Sequence, residues 1–262
     1  MITSVQNDKV KYVRSLARRR IRQREGRFVV EGTRLLDELV GAGIEPALVL
    51  NTEAWAEHPA GQRLLDLIRT PVEGIWPVSE AVMSASADTR TPQGVLAVVP
   101  FLDLAPKPGL LLILDGIRDP GNLGTILRSA ESAGVGEVLL APGTVDLYNP
   151  KVVRGAMGAH FRLSVRSCDW EAVEERARGR TIWLADAAGG TVYDAVNWTV
   201  PSAVIVGGEA SGAGREAGQV ATDRVSIPMA GGAESLNAAM AATVILFEAA
   251  RQRRASSGKE VL

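Results

Sequence analysis

Leu110-Leu111-Leu112-Ile113-Leu114-Asp115-Gly116-Ile117-Arg118-Asp119-Pro120-Gly121-Asn122-Leu123-Gly124-Thr125-Ile126-Leu127-Arg128 decides the fold. The aliphatic run at its start reads as a strand buried on both faces. Gly121 and Gly124 allow tight backbone geometry, and Leu123, Ile126 and Leu127 then bury one face of a following helix. The alternation continues toward the C-terminus, with strands expected at 110–115, 137–141, 162–165, 181–186, 203–207 and 224–228. Buried strands alternating with helices make an α/β fold with a mostly parallel, doubly wound sheet. Ligands in such sheets bind outside the carboxyl ends of the strands, so chemistry is expected in the loops after Leu114, Leu184, Val206 and Ile227.

Working back from this sheet, residues 101–109 hold Pro106 and Pro108 directly after Pro100, which suits a stiff linker. Residues 1–100 then form a smaller α/β domain. Its strands are expected at 27–31, 47–50, 74–78 and 94–99, with a helix capped by Thr33 and another at 62–69. The chain of 262 residues carries a formal net charge of −1, yet Lys9, Lys11, Arg14, Arg18, Arg19, Arg20, Arg22, Arg24 and Arg27 crowd its start. Two readings stand for that cluster: a phosphate-facing surface, or the solvated face of a helix. A single cysteine, Cys168, rules out an internal disulfide, and two distant histidines, His58 and His160, exclude a structural zinc site. No metal is expected. Neither a signal peptide nor a membrane span is legible, so a cytoplasmic protein is expected.

Three polar constellations sit at the strand ends. After the first strand come Asn122 and Arg128, readable also as a turn former and a surface cation. After the strand at 203–207 comes Gly207-Gly208-Glu209-Ala210-Ser211-Gly212-Ala213-Gly214. It fits no G-x-G-x-x-G register, and Ala213 stands where a phosphate-binding loop needs Lys, so a glycine turn presenting Glu209 remains. Last comes Ile227-Pro228-Met229-Ala230-Gly231-Gly232-Ala233-Glu234-Ser235-Leu236-Asn237, running into the apolar stretch 238–250. Ser235 reads as an N-cap and Asn237 as a first-turn residue. Leu236, Met240, Val244 and Phe247 are expected to carry the buried stripe of that helix, with Arg251, Arg253 and Arg254 at its negative end.

Taken together, these three segments resemble, in order and spacing, the signature motifs of the SpoU (TrmH-like) branch of the SPOUT RNA 2′-O-methyltransferases. The segments 28–32 and 91–97 resemble that family's small substrate-binding domain. The resemblance implies a C-terminal domain, 110–262, tied into a trefoil knot, a rare exception to unthreaded topology. It implies S-adenosylmethionine held by main-chain groups of Gly207, Ile227 and Leu236, and a site of Arg128, Asn122, Glu209, Ser235 and Asn237. Arg128 is the residue it assigns to deprotonating the ribose 2′-hydroxyl. A guanidinium is a weak base, so an RNA phosphate or neighbouring dipoles must assist. A homodimer is also implied, and ribosomal RNA is preferred over transfer RNA as substrate. Arg18, Arg19 and Arg20 become expected RNA contacts. Two rivals, a non-catalytic RNA-binding protein and a nucleotide-using small-molecule enzyme, leave the constellation or the failed nucleotide registers unexplained.

Overall fold

The computed structural model describes residues 1–69, 71–208 and 212–256. In chain order the elements are α1 (Asp8–Ser15), α2 (Arg19–Glu25), β1 (Arg27–Glu31), α3 (Thr33–Gly41), β2 (Leu48–Asn51), α4 (Glu53–Glu57), α5 (Pro59–Leu67), β3 (Ile75–Pro77), α6 (Glu80–Ser86) and β4 (Val95–Pro100). They continue as β5 (Leu111–Asp115), α7 (Pro120–Ser132), β6 (Glu137–Leu140), α8 (Pro150–Gly155), β7 (Val165–Ser167), α9 (Trp170–Ala177) and β8 (Thr181–Ala185). The last are β9 (Thr191–Val192), β10 (Ser202–Gly207), α10 (Arg215–Val220), β11 (Asp223–Ser226) and α11 (Ala238–Ser256).

The chain divides into two compact units: Met1–Leu102 with Tyr148–Phe161, and Asp103–Leu147 with Arg162–Leu262. The first unit has a mixed sheet of order β1-β4-β2-β3. Its basic helix α1 is amphipathic: Val10 and Val13 pack into a core with Leu50, Val82 and Leu96, while Lys11 and Arg14 face outward. Arg18, Arg19 and Arg20 are exposed, but Arg22 is not part of that surface. Its guanidinium is buried, and Nη1 donates to the carbonyls of Leu16 and Ala17 at 2.7 Å each. Thr33 is the first helical residue of α3 rather than its cap. Its hydroxyl accepts instead from Trp55 Nε1 (2.8 Å), and Gln93 Oε1 takes the Thr33 amide (2.9 Å). Residues 148–161, which the sequence places with the second domain, close the first unit. Tyr148 stacks on Phe101 at 3.9 Å between centroids and lies 4.6 Å from Phe28, with His160 buried beside them in a packing role.

The second unit holds a sheet of order β7-β6-β5-β10-β8-β11-β9, parallel at every pairing. β5 and β6 are buried throughout, as strands covered by helices on both faces require. The strand expected at 162–165 begins later, at Val165, where the ladder to β6 starts with Val138 N donating to the Ser164 carbonyl (2.9 Å); Arg162, before it, pairs with Glu131 (2.9 Å). The short β9 at the sheet edge carried no readable alternation. α7 starts as its sequence demands: Asp119 Oδ1 accepts from Asn122 N (2.9 Å), Pro120 opens the helix, and Leu123, Ile126 and Leu127 are buried.

The stripe on α11 is reversed relative to expectation. Leu236, Met240 and Phe247 are 37%, 54% and 43% exposed, and Val244 is half-buried. The buried face is built from Ala238, Ala239, Ala242, Ile245, Leu246, Ala249 and Ala250. Small residues let α11 lie close to α7, where Thr243 and Ser129 share a hydroxyl hydrogen bond of 2.8 Å. The larger side chains are left on the far side.

Candidate active site

β5 and β10 are neighbours at the centre of the sheet, and chain direction outward from them splits toward β6 on one side and β8 on the other. This is a topological switch point, where doubly wound sheets bind ligands. A cavity of about 610 Å³ opens at the carboxyl ends of β8, β10 and β11. That volume lies within the range of about 300–1,000 Å³ typical of small-molecule sites. Gly207, Ile227, Leu236, Ser235 and Asn237 all line it.

Asn237 joins the first and third constellations. Its Nδ2 donates to Asn122 Oδ1 at 3.3 Å, across 115 residues of chain. Its Oδ1 accepts from the amides of Ala239 (2.9 Å) and Met240 (3.4 Å), so Asn237, not Ser235, caps α11. Ser235 lies exposed on the cavity wall two residues before the cap. A serine there stands too early in the chain to reach the first free amides of the helix.

Arg128 stands apart from this group. It projects from the exposed face of α7 and does not line the cavity, and its guanidinium makes no hydrogen bond or ion pair with another described residue. Six residues separate it from Asn122, which puts the two on different faces of one helix. Glu209 lies outside the described residues. Arg18, Arg19 and Arg20 belong to the first unit and not to the cavity.

Sequence reading missed Asp186, Arg224, Met229 and Glu234 on the cavity wall. Only Asp186 carried a signal, its place just beyond the end of β8. Its carboxylate pairs with Arg224 and accepts from Ala188 N (3.0 Å), which fixes that rim of the cavity. The lining therefore offers main-chain amides and carbonyls, apolar side chains from Ile227, Met229 and Leu236, and carboxylates at the edge. Such a lining suits a planar heteroaromatic group with polar edges joined to a cationic tail. Among the described residues no group of three or more potential metal ligands occurs.

The family model described as the SpoU rRNA Methylase family matches residues 109–247, and the MRM3-like substrate binding domain matches residues 7–97. The human protein named rRNA methyltransferase 3, mitochondrial, is 33% identical over 90% of this chain and 70% of its own length. The Bacillus subtilis protein named 23S rRNA (guanosine(2553)-2′-O)-methyltransferase RlmP is 33% identical, covering 94% of this chain and 97% of its own. Among solved structures, the SpoU methyltransferase AviRb from Streptomyces viridochromogenes, in complex with AdoMet, superposes with a TM-score of 0.84 at 29% identity. That match covers 95% of this chain and 98% of AviRb.

Proposed function

The chain belongs to the SpoU rRNA methylase family, and from that premise we propose that it is an S-adenosylmethionine-dependent RNA 2′-O-ribose methyltransferase acting on ribosomal RNA. One observation carries the reading: Asn237, which lines the same cavity as Gly207, Ile227 and Leu236, is hydrogen-bonded to Asn122 of the first constellation. The residues fit the cofactor, since its adenosine needs a cleft walled by backbone and its methionine end needs partners for one ammonium and one carboxylate. Bound there, S-adenosylmethionine supplies a methyl group on a sulfonium, open to in-line displacement.

The chain's own groups then have to set the ribose 2′-hydroxyl in line with that methyl and take its proton. Asn122 and Asn237 orient each other through their hydrogen bond, and Glu209 and Ser235 complete the set. Arg128 serves the proton step, with an RNA phosphate alongside to favour charge reorganisation. Its distance from the cavity of its own chain is explained if the site is completed by a second copy. Exposed Leu236, just before α11, and Met240 and Phe247 on its outer side support such a homodimer, because these large apolar side chains are otherwise left in water. The order β5-β10-β8-β11, with α11 returning onto α7, supports a C-terminal trefoil knot. RNA is held by Arg18, Arg19 and Arg20 on the first unit. A reducing cytoplasm belongs to the same reading, in keeping with the free thiol of Cys168.

The test uses methyl-labelled S-adenosylmethionine with ribosomal and transfer RNA in parallel. Label should enter ribosomal RNA at a nucleotide that then resists alkaline cleavage, as a blocked 2′-hydroxyl must. Label in transfer RNA alone would reassign the substrate, and cofactor or RNA binding without transfer would leave a binding protein.

A further inference from the structure

A buried carboxylate at the end of β5 has so far had no task. Asp115 is 7% exposed, and no Lys or Arg among the described residues pairs with it. Burying an ionised carboxylate is costly unless hydrogen bonds replace its water. Its neighbour across the sheet is Gly207, where the chain leaves β10. From that position one residue holds both arms of the glycine turn. The Asp115 carbonyl accepts from Gly208 N at 2.9 Å, and Asp115 Oδ2 accepts from Gly214 N at 2.6 Å.

The two arms are in direct backbone contact. Gly208 and Gly212 form an antiparallel bridge. A Cβ on Gly207 would overlap the main chain of Ala213, and one on Gly208 would overlap the carbonyl of Gly116. Gly207, Gly208, Gly212, Ala213 and Gly214 all line the cavity. A wall made of glycines around one alanine, Ala213, which packs partly against the core, has little other side-chain packing to hold its shape, so its position depends on hydrogen bonds. An ionised acceptor makes these roughly twice as strong as a neutral one.

We propose that Asp115 is a positioning residue for the cofactor: its carboxylate draws the Ala213–Gly214 arm against Gly207 and Gly208 and so sets the main-chain wall that S-adenosylmethionine meets. This rests on the reading of the cavity as the cofactor site. Asp115 touches no reacting atom, so its removal should act on cofactor binding and leave the chemical step alone.

Wild type, Asp115→Asn and Asp115→Ala are compared by calorimetric titration with S-adenosylmethionine, by RNA binding and by steady-state methylation. Asp115→Ala should bind cofactor about tenfold more weakly, the size expected for losing a hydrogen bond to a charged group. Asp115→Asn keeps an oxygen that can accept from Gly214 and should fall between Asp115→Ala and wild type. The KM for cofactor should rise in the same order, with kcat at saturating cofactor and RNA affinity near wild type. Wild-type cofactor affinity in folded Asp115→Ala overturns the proposal, as does a parallel loss of cofactor and RNA binding, which marks general destabilisation. Should Asp115→Ala fail to fold, Asp115→Asn decides, and an unchanged KM for cofactor overturns it. A wild-type chain that binds no S-adenosylmethionine overturns the reading of the cavity itself, and is told apart from the other outcomes by the first titration.

Discussion

Asn237 does two jobs with one amide: its oxygen caps α11 and its nitrogen reaches Asn122. The two can be separated by chemistry. Asn237→Ala should lose the cap, costing about 1 kcal/mol of stability, and methylation with it. Asn237→Asp restores a cap acceptor but cannot donate to Asn122, so denaturant midpoints should recover while activity does not. Recovery of both would reduce Asn237 to a cap. Arg128 presents the opposite case, an exposed side chain without a described partner. Arg128→Ala should lower single-turnover methyl transfer by about 10²-fold or more, the range for removing a proton-transfer group. Cofactor affinity measured by titration should stay at the wild-type value. Asn237 drew attention in the sequence because a polar group at a helix start is expensive to keep without a task, whereas Arg128, in the middle of α7, was singled out by the family resemblance. Glu234 gave no such signal, since single acids in polar loops look alike in sequence, and Asp186 offered only its place just beyond β8.

At the scale of elements, the strands of the second unit other than the short edge strand β9 were legible to within a few residues, because runs such as Leu111–Asp115 have no other stable place than a covered sheet. α11 shows where that logic ends. Periodicity reports that Leu236, Met240, Val244 and Phe247 share a face, but both faces of this helix are apolar. The alanine-rich side is the one that packs inward, since small side chains permit the close approach to α7. The outward stripe should therefore be an interface. Met240→Glu or Phe247→Glu should convert a dimer to monomer by light scattering with helical content unchanged by circular dichroism, and should lower methylation if Arg128 acts across that interface. A wild-type monomer with full activity would dispose of the interface.

For the whole molecule, the chain passes from the first unit to the second between Leu102 and Asp103, and Arg18, Arg19 and Arg20 remain outward while Arg22 folds in. Reversing those three exposed charges to Glu should weaken RNA binding and flatten its salt dependence. The log–log slope should fall by about two, at roughly 0.7 for each single-strand phosphate that is no longer neutralised. An unchanged slope would return the cluster to an ordinary solvated face. The re-entry of Tyr148–Phe161 into the first unit was not legible, because Pro150, Val152 and Val153 read like the start of any amphipathic helix.

That re-entry has a consequence for how the protein is made. Phe28 and Phe101 find Tyr148 only after β5, α7 and β6 of the second unit have been synthesised. Domains ordinarily fold one after another as they leave the ribosome, the N-terminal one first. Here the first unit stays unfinished while β5, α7 and β6 of the second emerge, and it can close only once Phe161 has been made, with β7 to α11 still to come.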